Sequence, residues 1–188
     1  GVQCFDLKAV EPIRTDPRPQ EISAMHYASP SHRSAVVDSL DVVILGATEI
    51  DTDFNVNVHT DSGGCIMGGS GGHSDTAAGA KLSMIIAPLF RARLPLVTDH
   101  VTCVSTPGAD IDVLVTQGGI AVNEKNKELR ERLTAVGLPV LDIHALKEKA
   151  EAITGTPRRL PQGDRVVAKV ISRDGALLDE IRGVREED

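Results

Sequence analysis

Residues 66–86 read IMGGSGGHSDTAAGAKLSMII: Gly68, Gly69, Gly71 and Gly72 surround Ser70, and His73, Ser74 and Asp75 follow at once. Glycine adopts positive φ without steric penalty, so successive N–H groups can turn into one concavity. A helix starting just beyond would add partial positive charge. Such a cradle suits a carboxylate, a phosphate or a developing oxyanion. Neither familiar phosphate motif is present. A dinucleotide loop needs G-x-G-x-x-G, and Ser74 stands where the last glycine belongs; a P-loop needs G-K-[ST], and the next lysine is Lys81. Tight strand-to-helix turns explain such a cluster equally well.

Other side chains near it could take part. His73, directly after the loop, could polarise a carbonyl or hold a carboxylate, or simply cap a helix. Asp75 is an acid candidate that could equally be a cap beside the helix dipole. Glu49, in GATEID, is a candidate acid or orienting group, with a solvated strand-end carboxylate as the bland alternative. In DFNVNVHT, Asn55, Asn57 and His59 alternate with Phe54, Val56 and Val58, which puts the polar groups on one face as hydrogen-bond donors or as ordinary exposed polarity. Arg91 and Arg93 could neutralise carboxylates, or belong to a charged loop.

The elements that must position these residues follow from patterning. DVVILG (41–46) and KLSMIIAP (81–88) read as strands covered on both faces, and HSDTAAGAK between them as a short helix that Ser74 or Asp75 could cap. PLVTDH, VTCVST, IDVLVT and GIAV supply four further strand candidates between 94 and 122. Helices follow in NKELRERLTAVG, with a Leu129, Leu133, Val136 stripe, and in DIHALKEKAEAITG, capped by Asp142 and buried through Leu146, Ala150 and Ile153. RVVAKVIS and ALLDEIR around Asp174-Gly175 read as a hairpin. Residues 1–40, with Pro12, Pro17, Pro19 and Pro30, read as an irregular connecting or packing segment, and 41–188 as an α/β domain with a mixed or parallel sheet flanked by helices.

Composition narrows the function classes. The 188 residues are 41% hydrophobic and 25% charged but only 2% aromatic, so the core is aliphatic. A net charge of −7 without a long basic run disfavours capture of nucleic acid or an anionic membrane, and the scarcity of aromatics disfavours base stacking. Cys4, Cys65 and Cys103 show no CxxC spacing, so neither a disulfide framework nor a metal site is expected; they read as small apolar packing residues. The opening GVQCFDLKAV has no charged leader and apolar core, and no run approaches a membrane span. A cytoplasmic protein is expected.

Taken in order, LDVVILGATEIDTDFNVNVHT, GGSGGHSDTAAGAKLSMIIAP, PLVTDHVTCVSTPGADIDVLVTQGGIAVN and GLPVLDIHALKEKAEAITG resemble the C-terminal part of the citrate lyase alpha chain, the citrate CoA-transferase subunit. The likeness covers nearly the whole chain, and GGSGGHSDTAAGAK is its most specific motif. More distantly, LGATEID followed by NVN and a glycine cluster looks like the second half of the CoA-transferase superfamily. The resemblance implies a CoA-transferase-like layered fold. It implies an exchange in which citrate displaces acetate from an acetyl thioester on an acyl carrier protein, whose CoA-like prosthetic arm can be replaced by acetyl-CoA. No covalently bound cofactor and no metal are implied. Implied partners are the acyl carrier (gamma) and lyase (beta) subunits and an N-terminal half that this sequence lacks, with homo-oligomers expected. The family's glycine segment lies beside the thioester, so Gly68, Gly69, Ser70, Gly71, Gly72 and Ser74 become binding candidates, with Asn55, Asn57, Arg91 and Arg93; His73, Glu49 and Asp75 become catalytic candidates. The covalent glutamate of many CoA-transferases lies upstream of the matched region. A non-catalytic docking or assembly module, another CoA-transferase and an acyl-CoA hydrolase are the alternatives.

Overall fold

The computed structural model describes residues 7–157 and 161–184; Cys4 lies outside them. In chain order the helices are α1 (Leu7–Thr15), α2 (Ala24–Ala28), α3 (His73–Gly79), α4 (Lys127–Ala135) and α5 (Ile143–Thr154). The strands are β1 (Val43–Leu45), β2 (Glu49–Asp51), β3 (Val56–Asn57), β4 (Ser83–Ile86), β5 (Phe90–Arg91), β6 (Leu94–Pro95), β7 (Val97–Thr98), β8 (Val113–Thr116), β9 (Gly119–Val122), β10 (Val140–Leu141), β11 (Gln162–Ile171) and β12 (Leu177–Val184). Residues 7–40 are more helical than their prolines suggest: α1 contains Pro12, and a short 3-10 turn covers Val36–Ser39. The expected VTCVST strand is instead a loop, linked to β3 by a single bridge between Val56 and Thr106.

The main sheet is five-stranded and mixed, in the order β1-β4-β8-β9-β10. β1, β4 and β8 are parallel, β9 turns back antiparallel to β8, and β10 lies parallel to β9. A three-stranded sheet, β3-β2-β7, stands beside it. Ile85, Leu114 and Ala121 on one face of the main sheet pack with Ile143, Leu146 and Ala150 of α5 and Ala77 of α3 in one core cluster.

The opposite face is open at its β1–β4 side. Ile44 pairs with Met84 and is 61% exposed, and Ile86 pairs with Val115 and is 47% exposed. Strands expected to be covered on both faces are therefore covered on one. α4 runs beside β9 and β10 with Leu129 and Leu133 of its expected stripe half-buried, whereas Val136, at its C-terminal cap, is 74% exposed. In α5 the Asp142 side chain caps the His144 N–H at 2.8 Å, Leu146 and Ala150 are buried as patterned, and Ile153 is 63% exposed. The hairpin β11–β12 closes through Gly175 at φ 90°.

Candidate functional site

The glycine segment forms an exposed loop between the β3 region and α3. Its first anchor is the Met67 N–H, which donates to the His59 carbonyl at 2.8 Å; its last is the His73 N–H, which donates to the Ser70 carbonyl at 3.2 Å. Between them the N–H groups of Gly68, Gly69, Ser70, Gly71 and Gly72 find no acceptor among the described residues. A Cβ added at Gly68, Gly69 or Gly71 would meet nothing within 4 Å. Gly71, at φ 56°, needs glycine for its backbone; Gly69 has neither a positive φ nor a close neighbour that calls for one. Gly79 and Gly108 differ. A Cβ there would lie 2.9 Å from the Val37 backbone carbon and 1.9 Å from the Asp53 carbonyl oxygen respectively. α3 begins at Gly72 with no side-chain cap, so neither Ser74 nor Asp75 serves as one.

His73 is buried, and both of its ring nitrogens are engaged. Nε2 lies 2.8 Å from the Gly46 carbonyl oxygen and Nδ1 2.7 Å from Thr106 Oγ1. A carbonyl only accepts, so Nε2 carries the hydrogen and Nδ1 accepts from the threonine hydroxyl. Burial pushes its pKa down, the Gly46 carbonyl partly offsets this, and the nearby His59 adds a further lowering. His73 is a neutral tie between the loop's end, the end of β1 and the Thr106 loop, with no nitrogen left for a ligand. His59 is half-buried, and burial lowers its pKa as well. Among the described residues only its Nδ1 is engaged, with Ser105 Oγ at 2.5 Å.

The remaining polar candidates form an internally bonded cluster. Asn57 is fully buried and makes four hydrogen bonds: its Nδ2 donates to Glu49 Oε2 and Thr60 Oγ1, and its Oδ1 accepts from the His59 and Thr60 N–H groups. That exhausts an amide's valences on the amino side and fills both carbonyl lone pairs. Glu49, 2% exposed, also accepts the Thr102 N–H at 2.8 Å. Asn55 donates to Asp51 Oδ2 and accepts the Gly108 N–H at 2.9 Å. Asp51 Oδ1 holds the N–H groups of Asp53 and Asn55, closing a turn in which Phe54 sits at φ 65°. The alternation around 54–59 thus does not give an exposed polar face: β3 is only two residues long, and Asn57 points into the protein.

Asp75 lies half-buried on α3; burial raises its pKa, and the charge of Arg173 partly offsets the rise. Arg91 and Arg93 are exposed in the β5–β6 hairpin, and among the described residues no hydrogen bond or ion pair joins them to the glycine loop. A separate cleft of about 370 Å³, lined by residues including Thr60, Ser62, Thr102, Gln162, Asp179 and Arg182, contains none of the loop's glycines. No described group of His, Cys, Asp and Glu side chains could hold a metal ion. No described helix is long and apolar enough to cross a membrane. Sequence reading passed over Thr106, Ser105 and Gly46 as partners of the histidines; His59 and Ser105 are separated by 46 residues, and no local pattern marks such a pair.

The comparisons with known proteins agree with one another. The family model "Citrate lyase, alpha subunit" matches residues 1–184. The citrate lyase alpha chains of Klebsiella pneumoniae and Escherichia coli are each 49% identical to this chain, over 99% and 98% of its length and 37% and 36% of theirs. A crystal structure of the alpha subunit of citrate lyase from Streptococcus mutans in complex with citrate superposes with a TM-score of 0.89 at 47% identity, covering 95% of this chain and 35% of that one. The chain thus spans little more than a third of the length of these relatives. The fold is the CoA-transferase-like fold of that subunit, and the chain belongs to the citrate lyase alpha subunit family.

Proposed function

We propose that this chain contributes the glycine-loop wall of a transferase site in which citrate replaces acetate on an acetyl thioester of an acyl carrier protein, giving citryl thioester and free acetate. The observation that carries this reading is the run of unpartnered N–H groups from Gly68 to Gly72 in a loop where Gly69 has no internal reason to be glycine. Attack of a carboxylate on a thioester carbonyl builds negative charge on the carbonyl oxygen, and fixed backbone donors stabilise that charge without reorganising. The Streptococcus mutans relative was solved with citrate bound, which supports a carboxylate ligand.

The second wall belongs to polypeptide outside this chain. The apolar face left open over β1 and β4 supplies a surface for it. In this reading residues 41–188 form the C-terminal half of a two-half enzyme, and 1–40 pack against it. Carrier and lyase subunits and the CoA-like prosthetic arm are the partners of the assembled enzyme. Half a cleft holds only one reactant in place and forfeits most of the positioning advantage, on the order of several kcal/mol. The isolated chain is therefore expected to fold, to self-associate through its open face and to leave citrate unconverted.

The deciding variant is Gly69→Ala. Gly71→Val would combine loss of a binding surface with backbone strain, because residue 71 sits at φ 56°. A methyl at 69 strains nothing in the chain and stands where a ligand would approach. In a full-length alpha chain carrying these residues, Gly69→Ala should leave the melting temperature unchanged and reduce acetate release from an acetyl-carrier thioester on citrate addition by about 100-fold. Unchanged transfer at unchanged stability would reject the reading.

A further inference from the structure

His59 and His73 bracket the glycine loop. The loop leaves from the His59 carbonyl, which holds the Met67 N–H, and ends at His73, whose imidazole lies near enough that a charge on His59 would disfavour one on His73. Burial and the two acceptor geometries fix His73 as a closed group. His59 is closed at one end only. Ser105 is fully buried, and its Oγ accepts the Val58 N–H at 2.9 Å. A buried hydroxyl must also place its own hydrogen, and the acceptor beside it is His59 Nδ1 at 2.5 Å. Ser105 therefore donates to Nδ1, and the ring hydrogen of neutral His59 resides on Nε2. Nε2 has no hydrogen-bond partner among the described residues. Held by the Val58–Ser105 chain in one tautomer, this N–H is a fixed donor at the root of a loop whose own donors are also free.

We propose that His59, rather than His73, is the histidine that contacts substrate, its Nε2–H donating to a carboxylate oxygen of citrate held at the Gly68–Gly72 loop, with Ser105 as the positioning residue that sets the tautomer. This rests on the transferase reading above. A neutral donor suits the site: it adds a hydrogen bond to the run of backbone N–H groups without a counter-charge that would have to be desolvated again when product leaves.

The test uses the assembled enzyme containing a full-length alpha chain. His59→Ala should raise the KM for citrate by about 10-fold or more, the scale of one hydrogen bond to a charged group. His59→Gln, whose amide reaches the Nε2 position, should recover most of that loss. His73→Gln should change the melting temperature more than the KM. Nitrogen-15 NMR of the histidine-labelled wild-type enzyme needs no variant to fold: His59 should show a protonated Nε2 whose N–H signal shifts on citrate addition, and the His73 signals should stay in place. A wild-type KM in His59→Ala, or a His59 Nε2–H signal that citrate does not move, overturns the inference. If Gly69→Ala loses transfer in that same case, the transferase reading stands; if Gly69→Ala is also wild type, both fall.

Discussion

From Glu49 to Thr60 the buried polar side chains are hydrogen-bonded within the chain, whereas from Gly68 to Gly72 the backbone donors have no partner among the described residues. The two regions adjoin, and they carry opposite kinds of residue. The first holds carboxylates and amides that usually suggest chemistry, and Glu49 Oε2, Asp51, Asn55 and Asn57 are engaged in holding β2, β3 and the neighbouring loops together. The second holds almost no side chains and keeps its donors free. Buried polar groups stabilise a fold only when satisfied, and a ligand can be bound only by groups that are not. Hydrogen-bond occupancy separates the two regions where residue type does not.

The sharpest way to break this contrast compares glycines from the two settings. Gly108→Ala would drive a Cβ to 1.9 Å from the Asp53 carbonyl oxygen and should destabilise the protein by about 3 kcal/mol or more, read as a large fall in Tm. Gly69→Ala should not move Tm. Equal stability losses at the two positions would mean that the loop, too, is a packing element.

Glu49 provides the next test. Glu49→Ala leaves the Thr102 N–H and one hydrogen of Asn57 without an acceptor and should cost about 1–3 kcal/mol in denaturant unfolding. Glu49→Gln can keep both contacts through its amide oxygen and should retain transfer within a few-fold. A stable Glu49→Gln enzyme without transfer would place this carboxylate in the chemistry and dissolve the distinction between the regions.

His73 predicts a pH dependence. Its folded pKa lies below the ordinary histidine value of 6.5, so between the two the unfolded chain binds more protons. Stability from this group is fully present above about pH 6.5 and is lost as pH falls toward the folded pKa, at a limiting slope of about 1.4 kcal/mol per pH unit. Denaturant midpoints across that window should fall with acidification and become flatter in His73→Gln. An unchanged profile in the variant would show that the ring titrates freely.

The smallest effect concerns the thiols. Cys65 is exposed, whereas Cys103 is buried and pushed up to about 12 by burial and by the nearby Asp179 and Glu49 charges. A thiol reagent at neutral pH should label Cys65 readily and Cys103 only on unfolding, and Cys65→Ser should leave transfer unchanged. Rapid labelling of Cys103 in the native protein would show that the cluster around Glu49 opens.

The elements were largely legible in the chain because their signals are local. Continuous apolar runs mark β1, β4, β8 and β9, Asp142 marks the start of α5, and Asp174-Gly175 marks the hairpin. Exposure was less legible. Val136 and Ile44 have core-like patterning and face outward, because an apolar stripe records that a face is covered by something and not that this chain covers it. The glycine loop was legible in the chain, but not which histidine is closed at both ring nitrogens, since Thr106 and Ser105 approach from a distant loop.

By itself, the sequence determined the family, the mixed α/β architecture and the location of a backbone-donor loop, since each rests on residue order within short segments. The tertiary structure alone decided which polar groups are engaged and which are free. His73 was closed by Gly46 and Thr106, Asn57 by Glu49 and Thr60, and His59 was left open at Nε2. The physical reason is that a hydrogen bond depends on positions about 3 Å apart in space, and here most of those positions come from strands and loops that meet only when the chain is folded.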